Sequence, residues 1–184
     1  MRELSLHLLD IAENSVAANA TQVKLAVIED DRTDLLQMSV EDNGKGMDAE
    51  TVAKITDPFV TSRTTRKVGL GLPLLKEAAE ACNGFLKITS QLGVGTRVEV
   101  QFQRSHIDRM PLGNLAETYS QLLILNPQIN WLLLYRFNDR VFELDDREIK
   151  SGLDGIPFTE PEIIAALRKM ISDGIRTVQT GDPE

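Results

Sequence analysis

The sequence Asp42-Asn43-Gly44-Lys45-Gly46-Met47 places a carboxylate ahead of two glycines, at spacings of two and four residues. It follows a run in which apolar and polar side chains alternate over residues 36–41, the pattern of a half-buried strand. Gly44 and Gly46 lack a Cβ atom, so the backbone there can take positive φ and approach a flat ligand closely. The stretch therefore predicts a strand that ends in an acid and continues into a ligand-admitting loop.

Further short segments stand in a fixed order around this stretch. Upstream is Asp10-Ile11-Ala12-Glu13-Asn14-Ser15, and downstream are Asp57-Pro58-Phe59, Gly69-Leu70-Gly71-Leu72 and Gly93-Val94-Gly95-Thr96. Together the five segments resemble the N, G1, F, G2 and G3 boxes of the GHKL superfamily of ATPases. That superfamily contains DNA gyrase B, the ninety-kilodalton heat-shock chaperone, sensor histidine kinases and mismatch-repair MutL. Several weak motifs in the right order over about a hundred residues are jointly specific.

The resemblance covers residues 4–103 and leaves the branch of the superfamily open. The sequence around Glu13-Asn14-Ser15 is more similar to MutL, whereas residues 57–84 are more similar to a sensor kinase. Residues 104–184 carry no part of this resemblance.

Length and composition set broad limits on the protein. The 184 residues suffice for one large domain, or for one domain with a smaller appendage. The single cysteine, Cys82, cannot form an intrachain disulfide, and no apolar run is long enough to cross a bilayer. A net charge of -8 argues against nonspecific nucleic-acid binding, which needs clustered cations. We therefore expect a soluble, cytoplasmic protein that binds neither membrane nor nucleic acid.

Hydrophobic periodicity gives the order of the elements. An amphipathic helix is followed by a hairpin, two further helices and a second hairpin. This α-β-β-α-α-β-β order predicts an α+β fold: a two-layer sandwich with helices on one face of a mixed, mainly antiparallel sheet, which in the superfamily is the Bergerat fold. The predicted elements span residues 4–18, 23–27, 35–42, 48–55, 72–84, 85–90 and 96–102.

The remaining residues predict a small α+β extension. We divide the chain into an ATP-binding domain at residues 1–103 and an extension at residues 104–184. The extension is too short for an independent core, so we expect it to pack on the first domain or on a second subunit. It is the candidate surface for a protein partner or for self-association.

The resemblance assigns a metal ligand and a base to the first helix. Asn14 matches the asparagine that coordinates Mg²⁺ bridging the nucleotide phosphates, and an amide oxygen is a hard ligand suited to that ion. Four residues earlier, hydrolases of the superfamily carry a glutamate as general base and histidine kinases usually carry an asparagine. This chain has Asp10, which can accept a proton although it is one methylene shorter. Glu13 is adjacent to Asn14 but points about 100° away from it on a helix, so it ranks below Asp10 as the candidate base. His7 is predicted to be a packed core or rim residue.

The resemblance also assigns the purine end of a nucleotide site. Asp42 matches the aspartate that accepts a hydrogen bond from the adenine amino group and so disfavours guanine. Thr96 matches a threonine that helps to hold the same edge of the ring. The other residues at this end are Gly44, Gly46, Met47 and Ile55.

At the phosphate end, Gly69, Leu70 and Gly71 precede a predicted helix and offer free backbone amides and the helix dipole to an anion. Residues 60–68 are polar and cationic without an apolar period, and we predict a lid there. Lys67 is the lid cation assigned to the nucleotide.

One segment points toward phosphotransfer. Ser105-His106-Ile107-Asp108-Arg109-Met110-Pro111-Leu112 resembles the kinase H-box, S-H-E-x-R-x-P-L, which carries the phosphorylated histidine. In sensor kinases that box precedes the ATPase domain, whereas here it follows. Ile107 also stands where the acid should be. The alternative is a strand-to-helix turn in which Pro111 starts a helix over residues 112–125. His106 is thus a candidate phosphoacceptor.

Three functions remain open at this point. The first is a stand-alone Mg²⁺- and ATP-binding protein that hydrolyses ATP slowly and switches conformation with its nucleotide. The second is a protein kinase, either a histidine autokinase that uses His106 or a serine kinase of the anti-sigma-factor type. The third is a noncatalytic ATP sensor.

Overall fold

The computed structural model describes residues 3–55, 71–153 and 155–181. The predicted lid, Asp57-Pro58-Phe59, Lys67, Gly69 and Leu70 lie outside these residues. Within them the elements are α1 (Leu4–Ala17), β1 (Gln22–Asp30), β2 (Leu35–Asp42), α2 (Ala49–Ile55), α3 (Gly71–Ala81), β3 (Phe85–Gln91), β4 (Gly95–Gln103), α4 (Leu115–Leu125), β5 (Asn130–Phe137), β6 (Arg140–Asp145), α5 (Asp146–Gly152) and α6 (Pro161–Thr180). The predicted order of the first seven elements is confirmed.

All six strands form one sheet in the order β3-β4-β2-β1-β5-β6. Neighbouring strands are antiparallel except for β1 and β5, which run parallel. The predicted α+β fold with a mixed, mainly antiparallel sheet is therefore confirmed.

One face of this sheet carries the core. Because side chains alternate along a strand, Val23, Leu25 and Val27 of β1 share a face, and all three are buried. Leu4, Leu8 and Ile11 recur at helical spacing on α1 and are buried in the same cluster. This packing lays α1 across β1 and β2.

The segment after residue 103 completes the same sheet. Strand β5 pairs with β1 from Gln22 opposite Asn130 to Glu29 opposite Phe137. Helix α4 packs against α1, and the backbone nitrogen of Leu4 donates to the carbonyl oxygen of Pro111 at 2.9 Å. Strand β5 of the extension is thus hydrogen-bonded directly to β1 of the ATPase-like half, and β6 is joined through β5.

Two helix boundaries differ from the sequence prediction. Helix α4 begins at Leu115 rather than near Pro111, because the side chain of Asn114 caps it by accepting from the Glu117 nitrogen at 3.0 Å. Helix α3 ends at Ala81 rather than at Gly84, and Asn83 beyond it takes the left-handed conformation, with φ of 56°. Gly84 serves a different purpose, since a Cβ atom there would overlap the carbonyl oxygen of Gln101.

Among the described residues, no helix combines the length and apolarity that crossing a bilayer requires.

The β1–β5 pairing predicts that residues 1–103 do not fold stably on their own. Removing the extension would expose the backbone edge of β1 and the apolar side chains that pack against α4 and β5. We expect the fragment to lack the cooperative urea transition that the full chain shows when both are followed by circular dichroism. A monomeric fragment with a cooperative transition and native-like helix content would contradict this expectation.

Candidate functional site

The predicted purine anchor is held in place by two protein donors. The Ser15 hydroxyl donates to Asp42 Oδ2 at 2.6 Å, and the Gly44 nitrogen donates to Asp42 Oδ1 at 2.8 Å. Ser15 is buried on α1, whereas Asp42 is the last residue of β2. An ionised carboxylate has about four acceptor positions, so Asp42 is fixed in orientation and still able to accept from a ligand.

The glycine loop packs tightly against the end of α1. A Cβ atom at Gly44 would lie 2.8 Å from the carbonyl oxygen of Ala18, and Gly46 has φ of 65°. The Met47 nitrogen donates to the Ser90 hydroxyl at 2.8 Å, which ties the loop to β3. The positive φ at Gly46 and the close approach at Gly44 explain why the sequence has glycine at both positions.

Behind this loop lies a cavity of about 330 Å³, here called the apolar cavity. Asp42, Thr96 and Asn14 are among the polar residues that line it. Its size and its mixture of apolar walls with a few polar groups are typical of a small-molecule site. The apolar walls include Ile11, Val40, Met47, Ile55, Leu72 and Val98.

A second cavity of about 380 Å³, the polar cavity, lies next to the first. Asn14 and Leu72 line both, so the two cavities adjoin, and together they are called the cleft. A Cβ atom at Gly71 would lie 2.7 Å from Asp10 Oδ2, which places this carboxylate against the first residue of α3. Glu13 also lines the polar cavity, so its angular offset from Asn14 on the helix does not remove it from the site.

His7 was predicted to be a packed core or rim residue, and its place in the polar cavity was not predicted. It is buried, with 4% of its surface exposed, and it lines the polar cavity as well as packing in the core. Its Nδ1 has no hydrogen-bond partner among the described residues. Burial lowers the pKa of the imidazole below its ordinary value, although the Asp10 carboxylate opposes that shift, so the ring is uncharged at neutral pH. The sequence feature that could have predicted this place is its spacing of three residues from Asp10, because residues three apart are neighbours on a helix.

The cleft brings together most of the residues that the resemblance assigned. Asp10, Asn14 and Gly71 line the polar cavity. Asp42, Thr96 and Asn14 line the apolar cavity, together with Gly46, Met47 and Ile55, and Gly44 contacts Asp42.

His106 does not lie at the cleft. Thr96 stands at the cleft end of β4 and Gln103 at the other end, about 23 Å away at about 3.3 Å per residue. His106 follows Gln103 in a turn that Asp34 holds, because Asp34 Oδ2 accepts from the Ser105 hydroxyl at 2.7 Å. Arg109 supports the same turn by donating from Nε to the carbonyl oxygen of Arg104 at 2.6 Å.

Several cleft residues were not assigned from the sequence. The sequence could in principle have predicted Ser15 as a cleft residue, because it follows Asn14 and lies one turn from Ile11 on the same helix. Ser90, which contacts the apolar-cavity residues Met47 and Thr96 rather than lining that cavity itself, had no such signal, because only the pairing of β3 with β4 sets it opposite Thr96. Lys45, Thr51 and Leu72 also line the apolar cavity.

The oxygen ligands of the polar cavity fit a hard cation. Asn14 is exposed to the cleft, and the carboxylates of Asp10 and Glu13 line the same cavity. The described residues contain no group of three or more His, Cys, Asp or Glu side chains arranged around a metal position. This combination fits Mg²⁺, which takes few protein ligands and obtains the others from water and phosphate.

Residues 1–106 match the family model described as histidine kinase-, DNA gyrase B-, and HSP90-like ATPase. Among similar curated proteins, the autoinducer 2 sensor kinase/phosphatase LuxQ of Vibrio cholerae is 32% identical over 172 residues, which are 85% of this chain and 20% of LuxQ. The sensor protein kinase FleS of Pseudomonas aeruginosa is 42% identical over 88 residues, which are 48% of this chain and 22% of FleS. The sensor histidine kinase YvrG of Bacillus subtilis is 30% identical over 95 residues, 50% of this chain and 16% of YvrG. The chain thus spans about a fifth of these relatives.

A solved structure has a similar fold. The MutL ATPase domain of Aquifex aeolicus, complexed with ADP, superimposes with a TM-score of 0.51 at 15% sequence identity. The match covers 92% of this chain and 70% of the MutL chain. Together with the family match over residues 1–106, the fold identifies this chain as a member of the histidine kinase-, DNA gyrase B- and HSP90-like ATPase family.

Proposed function

We propose that the cleft binds ATP with Mg²⁺, and that the chain is a nucleotide-dependent conformational switch that hydrolyses ATP slowly. The observation that carries the proposal is the fixed Asp42 carboxylate in an apolar cavity that continues into a polar cavity through Asn14. The order of the two cavities matches the structure of ATP, which has an apolar base at one end and charged phosphates at the other.

The apolar cavity suits adenine. Asp42 accepts from the adenine amino group while Ser15 and Gly44 keep its carboxylate oriented. In the same position, the O6 atom of guanine would face an acceptor and lose its hydrogen bond, which disfavours GTP. Met47 and Ile55 belong to the apolar walls, which would pack against the ring.

The polar cavity suits the phosphates. Asn14 would hold Mg²⁺, which would supply positive charge to offset that of the phosphates. The first residue of α3, Gly71, lies beside Asp10, so the amide-rich end of that helix faces the same space. Asp10 is then placed to accept the proton of the attacking water.

Phosphotransfer to protein is the second candidate, because the similar curated proteins include sensor kinases. Transfer to His106 within one chain would have to cover the length of β4 in this conformation. A histidine autokinase would therefore act between two copies, through the extension or another surface. A serine kinase of the anti-sigma-factor type would instead phosphorylate a separate protein.

Incubation with γ-labelled ATP separates the candidates. Free phosphate without labelled protein supports the switch that hydrolyses ATP. Acid-labile label on the chain that is lost in His106→Ala supports the autokinase, and label on a copurifying protein supports the serine kinase. Binding with neither product supports a noncatalytic sensor, and no binding of ATP contradicts the proposal altogether.

Asp42→Asn is expected to weaken ATP binding at least tenfold, on the order of 1.4 kcal/mol, because the amide presents a donor group to the adenine amino group. Isothermal titration calorimetry measures the change. Glu41→Gln is the matched control, since Glu41 is the neighbouring exposed acid and pairs with Arg97 on the opposite face of the sheet. Equal dissociation constants for the two variants would contradict the assignment of Asp42.

Asn14→Ala is expected to abolish the magnesium dependence of ATP binding. In the unmodified chain, Asn14 would hold the metal and the metal would offset phosphate charge, so Mg²⁺ should tighten ATP binding. Titrations with Mg²⁺ and with excess EDTA give the ratio of the two affinities for each protein. The assignment fails if this ratio is the same in the variant as in the unmodified chain.

Asp10→Asn is expected to reduce ATP hydrolysis at least a hundredfold while leaving the ATP dissociation constant within about twofold, because an amide cannot accept the proton. Phosphate release at saturating ATP measures the rate. Glu13→Gln, which changes the other carboxylate of the polar cavity, is expected to retain most of the activity. If Glu13→Gln loses hydrolysis and Asp10→Asn retains it, Glu13 rather than Asp10 is the base.

A further inference from the structure

Ser90 lies in neither the glycine loop nor the G3 segment, yet its hydroxyl joins them. It accepts from the Met47 nitrogen at 2.8 Å, lies 3.0 Å from the carbonyl oxygen of Gly95 and lies 2.8 Å from Thr96 Oγ1. One side chain on β3 therefore contacts Met47 of the glycine loop, the backbone of Gly95 and the side chain of Thr96.

Strand register explains this position. Ser90 is opposite Thr96 in the β3–β4 pair, and Thr96 is opposite Asp42 in the β2–β4 pair. Directly opposed residues project to the same face of a sheet, with Cβ atoms about 4.5–5.5 Å apart. Ser90, Thr96 and Asp42 thus form a polar row across three strands at the end of the apolar cavity.

The number of protons in this row is limited. A hydroxyl has one proton and two lone pairs, and Ser90 uses one lone pair on the Met47 amide. Its proton can go to the Gly95 carbonyl, in which case Thr96 donates to Ser90 and shows only lone pairs to the cavity. Alternatively, the Ser90 proton goes to Thr96, and the Thr96 proton is free for a ligand.

We propose that Ser90 is a positioning residue that sets the hydrogen-bonding direction of Thr96 toward the edge of a bound purine. This inference rests on the proposed function and deepens it. Asp42 accepts from the adenine amino group, so the neighbouring ring nitrogen N1, an acceptor, needs a donor. Thr96 supplies that donor only when Ser90 turns its own proton to Thr96.

The nucleotide pair ATP and inosine triphosphate tests this directly. Inosine has an oxygen in place of the amino group and a proton on N1, so its edge has the reverse polarity. The expected result for Ser90→Ala is about tenfold weaker ATP binding and at least a threefold smaller preference for ATP over inosine triphosphate. A purely structural role for Ser90 would weaken both nucleotides equally and leave the preference unchanged.

Four further proteins complete the experiment, in which isothermal titration calorimetry measures binding of both nucleotides: Ser90→Thr, Thr89→Ala, Thr96→Val and the double variant Thr96→Val/Ser90→Ala. Ser90→Thr keeps the hydroxyl in a strand position that tolerates branching, so it should retain the ATP preference. Thr89→Ala changes the adjacent exposed residue on the opposite face of β3 and should bind as the unmodified chain does. In Thr96→Val, the additional Ser90→Ala change should not reduce the preference further, because the two hydroxyls act as one unit.

The inference is overturned if Ser90→Ala keeps the full preference, if Ser90→Thr does not retain it, or if the effects of Ser90→Ala and Thr96→Val on the preference add. If Ser90→Ala does not fold, Ser90→Cys replaces it, because a thiol fills the space but is a weak donor and acceptor. An unmodified chain that binds no ATP defeats the proposed function instead, and that outcome is recognised before any variant is compared.

Discussion

The hydrogen bond from the Ser15 hydroxyl to Asp42 joins the two halves of the cleft. Ser15 follows Asn14 on α1, so the helix that faces the polar cavity is tied at that point to the strand that ends in the glycine loop. The bond spans 27 positions in the sequence and is 2.6 Å long. Because Ser15 is buried and its proton has this acceptor, the distance between Asn14, the proposed metal ligand, and Asp42, the proposed purine anchor, is set by packing of α1 on β2.

The second constraint is the parallel pairing of β1 and β5. It makes β1 an interior strand, with β2 on one side and the extension on the other. Helix α1 contacts the sheet beneath it and α4 beside it, and it carries Asp10 and Asn14 toward the cleft. The extension therefore contacts the helix that carries Asp10, the proposed base, and Asn14, the proposed metal ligand.

In the segment that resembles an H-box, residues that match the motif also have structural roles in a turn. Ser105 binds Asp34, and Arg109 binds the Arg104 carbonyl, so two of the matching residues hold a turn together. Pro111 gives its carbonyl to the Leu4 nitrogen and anchors the start of α1. The side-chain contacts account for Ser105 and Arg109 without phosphotransfer, and His106 remains a candidate only for a reaction between molecules.

The sequence by itself determined the α+β class, the order of the first seven elements and most of the residues at the cleft. It could do so because alternation, helical spacing and glycine requirements are local, and because the boxes place Asp10, Asn14, Asp42 and Thr96 in a recognised order. Only the tertiary structure decided that β5 pairs with β1, that His7 lines the polar cavity and that Ser90 stands opposite Thr96. Strand order and register depend on contacts between residues far apart in the chain, and no local pattern in one sequence specifies which strands meet.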